Sequence, residues 1–171
     1  MEKVAVVGLG IIGGSICAAL TSAGYEVHGA DLDAFAQAIA LEKGYICSVA
    51  EDLWRYDTVI LAIPPEATKK MLQEARFKDG AIVGDICGVK GSVEKAVYEK
   101  PRAYKYVGMH PMAGSIKFSP YKFVQLRVVQ RTARILPDIS RQTLISVISN
   151  SMLRSEMISP AAGMIFSGNS R

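Results

Sequence analysis

Apolar residues along this chain come in short runs separated by segments of helical period. Lys3 to Val7 is a valine-rich run of the kind a strand buried on both faces carries. Tyr25 to Ala30, Thr58 to Ile63, Ala81 to Asp85 and Tyr104 to Val107 repeat that pattern. Between them lie helical stretches: Ile11 to Ala23 closed by Gly24, Asp33 to Lys43 closed by Gly44, Glu66 to Arg76 after Pro64-Pro65, and Ser92 to Glu99. Ala50 to Tyr56 reads as a further short helical segment, with Trp54 as a packing residue. Strands that alternate with helices mean βαβ units, right-handed crossovers and a parallel sheet. The expected fold is therefore α/β, a doubly wound parallel sheet.

The junction of the first strand and first helix reads Gly8-Leu9-Gly10-Ile11-Ile12-Gly13, a G-x-G-x-x-G spacing. Gly8 suits a tight turn, Gly10 the approach of a pyrophosphate, and Gly13 close packing of helix on strand. The helix start then directs unpaired N–H groups at the phosphates. The second strand ends in Asp31, whose carboxylate can accept hydrogen bonds from the adenosine ribose hydroxyls. It also repels a 2′-phosphate, and the next Lys or Arg is Lys43, so the reading is NAD over NADP. Asp33 is assigned the helix N-cap.

In such sheets ligands bind at the carboxyl ends of the strands. Four loops converge there: Gly8–Gly13, Ala62–Pro65, Asp85–Lys90 and Gly108–Ser115. Ala62, Ile63 and Pro64 are expected to lie along the cofactor. The last loop, Gly108-Met109-His110-Pro111-Met112-Ala113-Gly114, holds an ionisable ring between glycines and a proline.

Composition narrows the function classes. Half of the 171 residues are apolar, enough for a sizeable core in one domain, or one domain plus a tail. With no apolar run of about 18 residues and no leader pattern before the first strand, a cytoplasmic protein without a membrane span is expected. The net charge of +4 is uneven. Residues 1–115 hold 12 Lys/Arg against 14 Asp/Glu, a balance of −2; residues 116–171 hold 8 against 2, a balance of +6. No recognition motif or aromatic interleaving accompanies the basic part, so nucleic acid is not expected as a partner. Cys17, Cys47 and Cys87 have no metal spacing and read as reduced, mostly buried thiols; no metal site is expected. His28, mid-strand in an apolar context, reads as a packing residue.

These pieces together resemble the prephenate dehydrogenase family of tyrosine biosynthesis. The carriers are Val7 to Ser15, Asp31, Asp85-Ile86-Cys87-Gly88-Val89-Lys90 and Gly108 to Ser115, within residues 1–115. The resemblance implies a Rossmann-type nucleotide-binding domain and NAD-dependent oxidative decarboxylation of prephenate, or of arogenate. It implies that His110 takes the proton of the substrate's ring hydroxyl, a task suited to an imidazole near neutral pH. It also implies substrate contacts from the Gly88, Lys90, Gly114 and Ser115 positions. Many members carry Ser where this chain has Gly88. A non-catalytic NAD-binding fragment is the alternative reading, and another Rossmann dehydrogenase, of pyrroline-5-carboxylate or β-hydroxyacid type, is a weaker one.

From Ile116 the character changes. Thirteen of the 15 glycines precede it, and nine serines and six arginines follow it. The family continues instead with an acidic residue and a Ser-Gly pair. It then adds a helical domain that dimerises and supplies cationic residues for the substrate carboxylates. That domain is expected to be missing here, and residues 116–171 to be an anomalous, frame-shifted tail, with a weak helix over Gln142 to Met152.

Overall fold

The computed structural model describes residues 2–99, 101–112 and 127–128. Six parallel strands form the sheet: β1 (Lys3–Val7), β2 (Glu26–Ala30), β3 (Ser48–Val49), β4 (Thr58–Leu61), β5 (Ile82–Asp85) and β6 (Lys105–Gly108). Their spatial order is β3-β2-β1-β4-β5-β6, the Rossmann order, with the direction of winding reversing between β1 and β4. Pro111–Met112 (β7) pairs antiparallel with Arg127–Val128 (β8) outside this sheet.

Four helices, α1 (Ile11–Ser22), α2 (Ala34–Glu42), α3 (Pro65–Glu74) and α4 (Gly91–Tyr98), connect the strands. Alternation along each strand sends side chains to opposite faces, so the sheet has two cores. Val4, Val6, Val27 and Ile60 pack with Ile16, Cys17 and Leu20 of α1 and Ala40 of α2. Ala5, Val7, Val59, Leu61 and Val83 pack with Leu72 of α3 and Val93 and Val97 of α4. Each fully buried Val, Leu or Ile contributes roughly 1.5–3 kcal/mol.

The helix ends follow local chemistry. Asp33 caps α2 by accepting the Phe35 N–H at 2.9 Å. Gly24 and Gly44 follow their helices with φ of +88° and +65°, the left-handed conformation glycine adopts without strain.

Three local expectations are corrected. Residues 50–56 contain only a 3-10 turn, Leu53–Arg55, and Ser48–Val49 adds an edge strand that its two residues do not announce. Trp54 is not a packing residue: it is 44% exposed, with the guanidinium groups of Arg55 and Arg76 at 5.4 and 5.7 Å from its ring. His28 is half-buried among polar neighbours: Ser48 Oγ lies 2.8 Å from Nδ1 and Glu26 Oε1 3.2 Å from Nε2, with the Tyr56 ring at 5.1 Å. The cysteines are free; Cys17 and Cys87 are buried and Cys47 is exposed.

The proposed tail apart from Arg127–Val128, the Gln142 to Met152 helix, Ala113, Gly114 and Ser115 lie outside the described residues. Among the described residues no helix is long and apolar enough to cross a membrane.

Candidate functional site

The loops at the carboxyl edge of the sheet are tied to one another by a row of backbone hydrogen bonds. Gly8 N–H donates to Ala30 O (2.7 Å), Ala62 N–H to Val7 O (2.7 Å), Ile86 N–H to Leu61 O (3.2 Å), and Met109 N–H to Asp85 O (2.7 Å). Each loop therefore begins with one more rung of the parallel ladder. Asp31, the glycine turn, Ala62–Pro64, Ile86–Lys90 and His110 follow one another across this edge in strand order. From β2 to β6 is four strand spacings, about 19 Å.

The three glycines of the turn differ in what surrounds them. Gly8 has φ +95°, and a Cβ there would lie 2.3 Å from Ala62 O. A Cβ on Gly13 would lie 1.8 Å from Gly8 O and 3.1 Å from Ala62 Cβ, so α1 can approach β1 and β4 this closely only without a side chain. At Gly10 nothing stands within 4 Å of the same position. Gly10 is also the N-cap of α1, with no side-chain cap, and the first turn holds no acidic residue. The N–H groups of Ile11, Ile12 and Gly13 belong to that first turn, whose donors have no intrahelical acceptor. The space over Gly10 is thus lined by the positive end of a helix and suits an anion.

Asp31 stands beside this turn. Its Oδ2 accepts the Leu9 N–H at 2.5 Å and its Oδ1 the Asp33 N–H at 2.9 Å. A carboxylate offers about four lone-pair positions, so two remain for hydroxyl donors. Ala62 and Ile63 pack under the turn, with Ile63 Cγ2 2.8 Å from the position a Gly8 Cβ would take. Pro64 is the exposed N-cap of α3, and Thr68 Oγ1 donates to Ile63 O at 3.1 Å.

At the other end of the row, the loop after β5 meets the loop after β6. A Cβ on Gly88 would lie 3.2 Å from His110 Cε1 and 3.6 Å from His110 Nδ1. That Nδ1 is buried and has no hydrogen-bond partner among the described residues. Lys90 turns inward. Its Nζ donates to Asp85 Oδ1 at 2.7 Å and to Asp85 O at 3.3 Å.

Asp85 stands in a loop and a motif already singled out from the sequence, but was given no role there. Its side chain is 0% exposed. It accepts from Lys90 and from the Cys87 N–H (2.7 Å) through Oδ1, and from the Tyr106 hydroxyl through Oδ2 in a short hydrogen bond. Burial, the hydrogen bond to Asp85 and the Asp85 charge together push the Tyr106 phenol far above its ordinary range. Gly108 closes the cluster, since a Cβ there would meet Lys90 Cε and Tyr106 Oη at 3.4 Å. A buried carboxylate must be paired to be tolerated. Here the pairing joins the loop carrying Gly88 to the strand leading to His110. The hints in the sequence were an acid ending a buried strand, Val83-Gly84-Asp85, and its place at the head of the motif that ends in Lys90.

Known proteins are similar to this chain in sequence and in fold. The family model described as prephenate dehydrogenase, nucleotide-binding domain, matches residues 16–136. The match starts after the glycine turn and continues past Ser115, where the resemblance was expected to end. The prephenate dehydrogenase of Lactococcus lactis subsp. cremoris is 33% identical over 152 residues, covering 83% of this chain and 42% of that protein. The Bacillus subtilis prephenate dehydrogenase is 33% identical over 126 residues, covering 68% and 34%. The chain therefore spans about two fifths or less of the length of these relatives. A crystal structure of prephenate dehydrogenase from Aquifex aeolicus in complex with hydroxyphenyl propionate and NAD+ shares the fold, with a TM-score of 0.63 at 21% identity over 89% of this chain and 57% of that one. With the family model covering well over half its length, the chain belongs to the prephenate dehydrogenase family, as a representative of its nucleotide-binding domain.

Proposed function

We propose that this chain is the NAD-binding part of an oxidoreductase that converts prephenate to 4-hydroxyphenylpyruvate in tyrosine biosynthesis. The observation that carries the reading is the single row formed by the uncapped glycine turn, Asp31, and the Gly88–His110 pair at one sheet edge. Membership of the family supports it, and a solved relative holds NAD+.

NAD, when bound, supplies the acceptor for a hydride. The first turn of α1 holds the pyrophosphate above Gly10, and Asp31 takes the ribose hydroxyls with its remaining lone pairs. Ala62, Ile63 and Pro64 provide the apolar wall. Asp31 disfavours a 2′-phosphate by like charge, so NAD is the cofactor rather than NADP.

His110 is the group that moves a proton. As C4 of prephenate gives up its hydride, the C4 hydroxyl gives its proton to His110. The ring carboxylate then leaves as carbon dioxide and its electron pair completes the aromatic ring. The proton held by His110 returns to the phenolic oxygen, so no net proton is released. Lys90 is drawn back onto Asp85, and its part is to fix the Gly88 loop against His110 rather than to meet the substrate directly. Gly114 and Ser115 complete the substrate side in this reading. Arogenate, which differs in the side chain away from C4, fits the same chemistry.

The working protein is placed in the cytoplasm, with a small-molecule substrate and no nucleic-acid or membrane partner, and with dimerisation through the family's helical domain. The test is calorimetry of the 171-residue chain with NAD and NADP, followed by NADH formation with prephenate and with arogenate. The expected result is binding of NAD well ahead of NADP and weak or undetectable turnover. Absence of nucleotide binding sinks the reading; rapid turnover that survives His110→Ala sinks the role given to His110.

A further inference from the structure

We propose that Glu26, His28 and Cys47 form a zinc-binding site on the β2–β3 edge of the sheet, apart from the nucleotide crevice. Glu26 and His28 are two residues apart on β2, so their side chains share a face. Cys47 immediately precedes β3, which pairs with β2 in parallel with His28 opposite Ser48. The ligand-bearing atoms of the three lie within 4.8 Å of one another. No sequence spacing announces this set; strand pairing assembles it.

The nitrogen–oxygen separation matches that of two ligands on a tetrahedral ion, and the sulfur lies within one side-chain rotation of it. Zinc binds imidazole nitrogen and carboxylate oxygen at about 2.0–2.1 Å and thiolate sulfur at about 2.3 Å, so two such ligands stand about 3.3 Å (N···O) or about 3.6 Å (N···S) apart. In the protein, His28 Nε2 lies 3.2 Å from Glu26 Oε1; Cys47 Sγ stands 3.6 Å from Nε2 and 3.7 Å from Nδ1, so the thiol must turn about its Cα–Cβ bond to meet an ion on the Nε2 lone pair. An outer partner is also in place. With Nε2 on the metal, Nδ1–H donates to Ser48 Oγ at 2.8 Å, the contact that fixes the tautomer and ring of a metal-bound histidine. A cavity of about 350 Å³, lined by His28, Ser48 and Tyr56 together with Lys3 and Arg55 but not by Glu26 or Cys47, opens beside the ring.

Two existing contacts must yield. The Cys47 thiol, which donates to Val27 O at 3.1 Å, loses its proton on binding. The Lys3 ammonium, 3.5 Å from Glu26 Oε1 and half-exposed, moves to solvent. One carboxylate, one thiolate and a divalent cation then sum to zero charge. The mixed N, S and O donor set favours zinc over the hard cations magnesium and calcium.

The experiment uses the full chain after chelator treatment and dialysis. Cobalt(II) is titrated as the spectroscopic probe, then displaced with zinc. The expected result is one equivalent bound, with a near-ultraviolet thiolate-to-cobalt charge-transfer band that zinc abolishes. Cys47→Ser and His28→Ala remove the band, and Glu26→Gln weakens binding by about tenfold or more. Cys17→Ala leaves the band in place. Circular dichroism of each variant separates loss of ligand from loss of fold. As a second readout, zinc slows alkylation of Cys47 by about tenfold or more at saturating metal. Binding weaker than about 1 mM, a band that survives Cys47→Ser, or alkylation unaffected by zinc overturns the proposal.

Discussion

A side chain on Gly88 would begin 3.6 Å from His110 Nδ1, a buried nitrogen without a hydrogen-bond partner among the described residues. A serine hydroxyl at this position reaches that nitrogen once the ring gives way by a few tenths of an ångström, because the Cβ also stands 3.2 Å from Cε1. Gly88→Ser is therefore expected to lock His110 into one tautomer, while Gly88→Ala crowds the ring without doing so. Nitrogen-15 NMR of the imidazole reads the difference. Identical tautomer populations in parent and Gly88→Ser would show that the hydroxyl does not reach Nδ1.

Gly10 and Gly13 separate binding from folding. Gly10 has open space where a Cβ would go, so Gly10→Val should keep the melting temperature close to the parent's. It should lose NAD affinity by about 100-fold or more, roughly 2.7 kcal/mol. Gly13→Ala drives a methyl into the Gly8 carbonyl and should destabilise the fold by about 1–3 kcal/mol or more. Thermal melts beside calorimetry decide both. Unchanged NAD binding by Gly10→Val would mean that no pyrophosphate lies over the turn.

Asp31 has two tasks, and substitution should expose both. Removing its carboxylate leaves the part-buried Leu9 N–H without its acceptor, a cost of about 1 kcal/mol or more, while the exposed Asp33 N–H turns to water. Asp31→Ala should thus lower the melting temperature and also bring NAD and NADP affinities together. Asp31→Asn, which keeps one carbonyl acceptor, should recover part of the stability. A parent that binds both nucleotides equally would remove Asp31 from the ribose.

The Asp85 cluster gives a stability test. Lys90→Met strips the cation from a fully buried carboxylate and should cost about 3–5 kcal/mol. Tyr106→Phe removes one donor of three and should cost less, about 1–3 kcal/mol. Denaturant midpoints check the order. Equal, small losses would mean that water takes over both roles.

Alkaline pH should unfold the protein for a stated reason. Burial pushes the Cys17 thiol up from 9.0 to about 12, and Tyr106 is raised as well, chiefly by burial. Both groups are neutral when folded, with folded values above unfolded ones. Their stabilisation is complete below pH 9 and is lost as pH climbs from there through the folded values. Cys17→Ala should flatten the part of this loss between about pH 9 and 12. Thiol reagents should label exposed Cys47 first, and Cys17 only on unfolding. A loss of stability above pH 9 as steep in Cys17→Ala as in the parent would count against the thiol.

Much of the fold was legible because backbone and pattern agreed. Valine runs ended by Gly, Asp or Pro mark β1, β4 and β5, and glycines with positive φ mark the ends of α1 and α2. β3 was not legible, since two residues on a sheet edge carry no periodicity and owe their conformation to β2. Trp54 misled because its size suggests burial, whereas cationic neighbours hold it at the surface. His28 misled for the opposite reason. Its immediate sequence neighbours, Val27 and Gly29, are apolar, but its spatial neighbours are Glu26 and residues from 47–56, and are mostly polar. Within the site, the glycine turn and Asp31 were readable because their spacing reflects local geometry. The Asp85–Lys90–Tyr106 pairing was not, because it depends on which strand lies beside β5.

The ladder rungs from Gly8, Ala62, Ile86 and Met109 carry a thermodynamic consequence. Four loops are anchored at or near their first residue by bonds that continue the sheet's ladder, so releasing any one anchor means breaking a rung of it. These anchor points of the crevice are already fixed before anything enters it. A ligand that settles there loses its own freedom but need not restrict the protein's, and more of its contact energy survives as affinity. The entropy of ordering was met once, when the chain folded.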